Sequence, residues 1–124
     1  MTTFDFRLFL DVAEDLIARN DEANRRSAVS RAYYALFGAA WRALPPGLQM
    51  RIGQGRVHSA TWNHYAVSST QSNRQIGGVG FRLKRMRERA DYDASATFAA
   101  ARVRNALDEA HQVLDLLDWH GYQP

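Results

Sequence analysis

The stretch RRSAVSRAYYALFGAAWRAL, residues 25–44, reads as one helix, and its two faces set the reading of the whole chain. At about 100° per residue, Val29, Tyr33, Leu36, Phe37, Ala40 and Leu44 fall on one side and predict a core face. Ser27, Arg31, Tyr34, Gly38 and Arg42 fall on the other. Arg31 and Gly38 lie nearly in line, about two turns apart. A mid-helix glycine costs roughly 1 kcal/mol against alanine, and close approach of another backbone or a ligand would offset that cost. Pro45, Pro46 and Gly47 stop the helix.

Outward from this segment, a first helix is predicted over 3–19, entered through Thr2 or Thr3, with Phe6, Phe9, Leu10, Ala13, Leu16 and Ile17 as its apolar stripe. Asn20 can end it. The second helix spans about 22–44. A connection, GLQMRIGQG, residues 47–55, leads to a shorter helix beginning near Val57, with Ala60, Thr61, His64 and Tyr65 on the same face. SSTQSNRQIGGVG, residues 68–80, is Ser-rich and then Gly-rich and predicts a mobile loop. A fourth helix is predicted over 80–90. The fifth runs over 95–118, with Phe98, Ala106, Ala110, Val113, Leu114 and Leu117 facing inward and Gly121 beyond its end. No segment alternates as a strand does, so the class is all-α, in one domain over residues 1–124.

The chain has 46% hydrophobic and 23% charged residues, a globular composition. It has no cysteine, which excludes disulfides and Cys-based zinc sites and makes a reducing cytoplasm its natural home. Its first apolar stretch carries acids, so neither a signal peptide nor a membrane span is expected there. Charge is unevenly placed. Residues 1–24 hold six acids and two arginines, residues 25–104 hold fourteen bases and three acids, and residues 105–124 hold four acids and no Arg or Lys. A cationic block of +11 thus lies between acidic ends, and fifteen of the sixteen bases are arginine, whose planar fork suits phosphate and carboxylate.

Within that block, FRLKRMRERADYD, residues 81–93, places Arg82, Arg85 and Arg89 on one helical face. This predicts either a phosphate-tracking surface or a solvated face paired with the acids of the terminal helices. Trp41, Trp62 and Trp119 are expected in core or interface packing. His64, His111 and His120 lack metal-ligand spacing, and GGVG is too short for a phosphate cradle and lacks the following lysine. No metal and no cofactor is predicted.

SRAYYALFGAA, residues 30–40, resembles the signature helix of HEPN proteins (higher eukaryotes and prokaryotes nucleotide-binding), in particular the small single-domain bacterial and archaeal branch. RVHSA, residues 56–60, resembles the His-containing start of that branch's middle helix, and RMRERADYD, residues 85–93, its Arg-then-Ala-Asp-Tyr motif. The signature residues are then Ser30, Arg31, Tyr33, Tyr34, Arg87, Asp91 and Tyr92. The resemblance implies an antiparallel four- to five-helix bundle that works as a homodimer. Many such proteins are metal-independent ribonucleases, often toxins, and relatives often act beside a minimal nucleotidyltransferase in toxin–antitoxin or defence modules, so the resemblance implies a nucleotidyltransferase-type antitoxin as a partner.

The ribonuclease motif of those relatives is an arginine followed, after four to six residues, by a histidine. The histidine moves protons near neutral pH while the arginine steadies charge building on the phosphate. Arg31 matches the arginine, but position 38 is glycine, which can move no proton. His58 and Tyr34 are the candidate substitutes, though a phenol, titrating near about pH 10, serves better as a hydrogen-bonding group than as a base. Arg51 and His58 also match the bare spacing, but across a loop. The first expectation is therefore a protein that contacts RNA, a nucleotide or a partner protein through Arg31, Arg42, Arg82, Arg85, Arg87 and Arg89. A divergent ribonuclease using Arg31 with His58 or Tyr34, and a scaffold without nucleic acid, are the alternatives. Asp91 is expected to cap or pair, and Tyr92 to pack with a bonded hydroxyl.

Overall fold

The computed structural model describes residues 3–120, without the side chains of Trp119 and His120. Thr2, Gly121 and those two side chains, which figured in the sequence reading, lie outside the described residues. Six helices follow in order: α1 (Leu8–Ile17), α2 (Glu22–Arg42), α3 (Pro46–Ile52), α4 (Val57–Ala66), α5 (Gln71–Tyr92) and α6 (Ala100–His120). No strand occurs among the described residues, and the fold is all-α. No helix among them is long and apolar enough to cross a membrane.

Four helices make the body, and side-chain pairings give their directions. Phe6 meets Gly38 and the Arg31 guanidinium lies over Phe9, so α1 and α2 run antiparallel. Arg26 bonds Ala90 and Arg87 lies over Tyr33, so α2 and α5 are antiparallel too. Arg82 pairs with Glu109 across α5 and α6, and Arg7 pairs with Asp118 across α1 and α6. α3 and α4 fill the crossover between α2 and α5. α2 is the central element, packing on α1, α5 and α6. Its buried Ala28, Ala32, Ala35 and Ala40 keep neighbours close, while Tyr33 and Leu36, fully buried, supply bulk. Burial of each large side chain contributes roughly 1.5–3 kcal/mol.

The ends of the helices follow local chemistry. Asn20 takes the left-handed conformation, φ 53°, which asparagine tolerates, and turns the chain between α1 and α2. The Asp21 carboxylate accepts from the Asn24 N–H at 2.8 Å and caps α2. Two prolines end α2, and the second opens α3, where its missing N–H costs nothing. The predicted 47–55 connection therefore contains a helix.

The 68–80 segment is a larger correction. It is not a mobile loop, because α5 begins at Gln71 behind Thr70, whose hydroxyl accepts from the Asn73 N–H at 3.3 Å. Its glycines are packing residues. A Cβ at Gly77 would lie 2.5 Å from the Ala66 nitrogen, and one at Gly80 would enter the Trp62 ring. Together they let α4 lie flush on α5, with Trp62 fully buried between them.

The last helix starts five residues later than predicted because residues 93–99 are held as an irregular strap by α2. Arg26 donates to the carbonyls of Ala90, Asp93 and Ala96, and Arg25 donates to the Phe98 carbonyl at 2.7 Å. Glu22 accepts from the Phe98 N–H at 3.1 Å. Arginines counted in the cationic block are thus consumed by the fold.

At the other end of the body, Arg104 grips the Glu14 carboxylate at 2.5 and 2.7 Å, and His111 Nε2 lies 3.0 Å from it. Arg104 holds the Glu14 carboxyl down at about 2, against an ordinary 4.5. Since the folded state lowers this acid's pKa, the stability it contributes is present above about pH 4.5 and lost as pH falls toward 2. Glu14→Gln should flatten that acid limb in denaturant titrations collected across pH 5 to 2; an unchanged limb would show that the α1–α6 clamp does not set acid stability.

Candidate nucleic-acid interface

The three signature runs, distant in sequence, meet in one cluster. Tyr33 and Tyr34 come from α2, His58 from the first turn of α4, and Arg87 and Asp91 from α5. The Trp62 indole N–H donates to the Tyr33 hydroxyl at 3.0 Å, and that hydroxyl lies 2.6 Å from His58 Nδ1. An indole nitrogen only donates, so the hydroxyl accepts from Trp62, and its own proton can go to His58 Nδ1 when the imidazole carries its proton on Nε2. The His58 ring stacks on Phe37 at 4.0 Å. Burial, then the charges of Arg87 and Lys84, push the His58 pKa below its ordinary value, and burial pushes that of Tyr33 up.

Arg87 is the hub of the cluster. Its guanidinium lies over both tyrosine rings, 5.4 and 5.5 Å from their centroids. Its side chain is only 12% exposed, its Nη1 reaches Asp91 at 3.4 Å, and its Nε has no hydrogen-bond partner among the described residues. Ser30 approaches the same carboxylate at 3.5 Å. Arg87 is therefore a packing and cation–π residue, not the surface phosphate contact expected of it.

Arg31 and His58 share no contact among the described residues. Arg31 is exposed, its guanidinium 5.4 Å from the Phe9 ring centroid on the α1 side of α2. Gly38 is covered from within the chain: a Cβ there would overlap the Phe6 ring. Arg42, on the same side, donates to the Phe4 carbonyl at 3.1 Å. The polar stripe read along α2 is thus largely the seat of the N-terminal segment.

A different surface gathers the remaining arginines. Arg82, Arg85 and Arg89 of α5 line a groove of about 310 Å³ whose other wall is Arg102, Asn105 and Glu109 of α6. Leu83, Met86 and Ala106 form its floor. Four guanidinium groups face one carboxylate there, Glu109, which pairs with Arg82. Arg89 makes a long 3.9 Å contact with Asp93, while Arg85 and Arg102 have no acid partner among the described residues. Such a concentration of one sign in a concave surface attracts polyanions. Of the two sequence expectations for this face, pairing with the acids of the terminal helices holds in part, since Arg82 does pair with an acid of the last helix. Arg102 and Asn105 escaped the sequence reading. Their place becomes readable only once α5 and α6 are known to be antiparallel, which brings the first turn of α6 beside the end of α5.

The described residues hold no cluster of His, Asp or Glu able to bind a metal. The architecture is an all-helical domain with a packed aromatic–histidine cluster and a separate arginine groove. Comparison with family models, curated proteins and solved structures finds no match.

Proposed function

We propose that the protein is a HEPN-like RNA-binding protein, acting as a homodimer in a toxin–antitoxin or defence module, with the α5–α6 groove as its RNA contact. The observation that carries this reading is the set of four arginines around one groove, two of them with no acid partner among the described residues. The meeting of Ser30, Tyr33, Tyr34, His58, Arg87 and Asp91 in one cluster supports treating the signature runs as one unit. Exposed Leu8 and Val12 on α1, with exposed Phe4 in the segment before it, offer a surface for a second copy. Binding is favoured over ribonuclease chemistry because Gly38 carries no base and His58 is tied to Tyr33 away from Arg31.

Fluorescence anisotropy with a labelled single-stranded RNA, titrated across salt, tests the groove. Affinity should fall linearly on a log–log plot against salt. Arg85→Ala and Arg102→Ala should each reduce the slope by about one, as expected for losing one phosphate contact. Arg31→Ala should leave the slope unchanged. No binding by the wild-type protein at low salt would end this reading, and RNA shortened during the assay in an Arg31-dependent way would favour the enzyme.

A further inference from the structure

We propose that the arginine groove ends on a base-stacking platform, the ring of Tyr92, and that its ligand is single-stranded rather than duplex nucleic acid. This rests on the groove being an RNA contact. Tyr92 was expected to pack with its hydroxyl bonded. Instead it is 80% exposed, the most exposed large apolar side chain among the described residues, and its hydroxyl makes no hydrogen bond among them. An exposed aromatic ring standing beside a run of arginines is open to stack a base.

Its surroundings suggest that use. Tyr92 is the last residue of α5, seven positions beyond Arg85 and nearly in line with it along the helix. A second, shallow depression is lined by Arg85, Glu88, Arg89, Tyr92 and Asp93. Arg85 and Arg89 line this depression and the α5–α6 groove alike, so the basic track runs onto the ring. Two carboxylates stand beside the ring, and both are occupied: Glu88 accepts from Lys84 at 2.6 Å, and Asp93 accepts from the Ser95 N–H and hydroxyl at 3.0 and 2.6 Å. The ring itself offers no cation to a phosphate, but it offers a π-face to a neutral base. Charge therefore places phosphates on the arginines and a base on the ring. A duplex keeps its base faces stacked inside and would leave the ring unused; a single strand offers a face to it.

The experiment compares three labelled ligands by anisotropy at one salt concentration: a short single-stranded RNA, the same strand in a duplex, and a strand of equal phosphate count carrying abasic sites. Wild-type protein should bind the first most tightly. Tyr92→Ala should weaken that binding roughly 5- to 100-fold and leave the other two unchanged, while Tyr92→Trp should keep or strengthen it. Far-UV circular dichroism should be the same for all three proteins, since the ring supports nothing in the fold. Equal affinity of the abasic and base-bearing strands, or wild-type affinity in Tyr92→Ala, would overturn the platform while leaving the arginine groove standing. Failure of every strand to bind wild-type protein would remove the groove reading itself. Tighter capture of an acidic peptide than of any strand would assign the surface to a protein.

Discussion

Gly77→Ala should destabilise the protein by about 2 to 3 kcal/mol, while Gly78→Ala, one residue away, should stabilise it by about 0.5 to 1 kcal/mol. The two glycines share a helix and differ only in what they face. A Cβ on Gly77 would lie 2.5 Å from the Ala66 nitrogen, 2.7 Å from its Cα and 2.8 Å from the Trp62 carbonyl oxygen. All three are backbone atoms of α4, so no rotamer change relieves the clash and the helices must separate. Separation opens space around Trp62, which is fully buried, and forfeits its contacts along the seam. Against this, alanine regains roughly 1 kcal/mol of helix propensity, which the estimate includes. At Gly78 a Cβ meets nothing within 4 Å, so only the propensity gain remains. Thermal and denaturant melts of the two variants check the contrast. Equal stability would show that the α4–α5 seam is slack.

The same glycines explain where the sequence misled. Core positions of α2 were legible because Val29, Tyr33, Leu36 and Ala40 repeat at helical spacing and are buried, as is Leu44 just past the helix; Phe37, read with them, is partly buried. Gly77 and Gly80 carry no hydrophobic signal, although as bare backbone they are core residues too. Serines before them strengthened the loop reading, yet Thr70 is a helix cap. Charge was legible in sum and not in placement. Nothing in the composition separates Arg26, which bonds two carbonyls of the strap and one at the end of α5, from Arg85, which bonds no acid among the described residues. The bare face of Arg82, Arg85 and Arg89 was readable from spacing alone, whereas Arg102 required the tertiary fold. Gly38 was read as a site where another backbone or a ligand comes close, and the Phe6 side chain of the same chain is what approaches. A periodicity argument finds the face and does not say what covers it.

Tyr33→Phe should cost about 2 to 3 kcal/mol at pH 7, because a single oxygen serves two neighbours. Its loss strands the buried Trp62 N–H and leaves His58 Nδ1 without its donor. The relay also makes stability depend on pH. His58 is faced by Tyr33, Tyr34 and Phe37 of α2 and by Lys84, Arg87 and Glu88 of α5. Burial and the two cations favour the neutral ring, and only Glu88 opposes them. Protonation would put a hydrogen on Nδ1, facing a hydroxyl that already receives the Trp62 N–H and would lose the acceptor for its own proton. The folded state thus holds this pKa below the unfolded value of about 6.5. Above that pH both states carry a neutral ring. As pH falls through it the unfolded chain takes up the proton first, so stability declines from there downward. This window lies above the one assigned to Glu14, and the two limbs separate in a single pH series of denaturant titrations. His58→Gln, which offers Tyr33 an uncharged acceptor, should remove the upper limb and leave the lower. Stability that stays level between pH 7.5 and 5.5 in the wild-type protein would show that the α2–α4–α5 junction accommodates the charged ring. A loss under about 0.5 kcal/mol in Tyr33→Phe would show that the relay does not hold that junction.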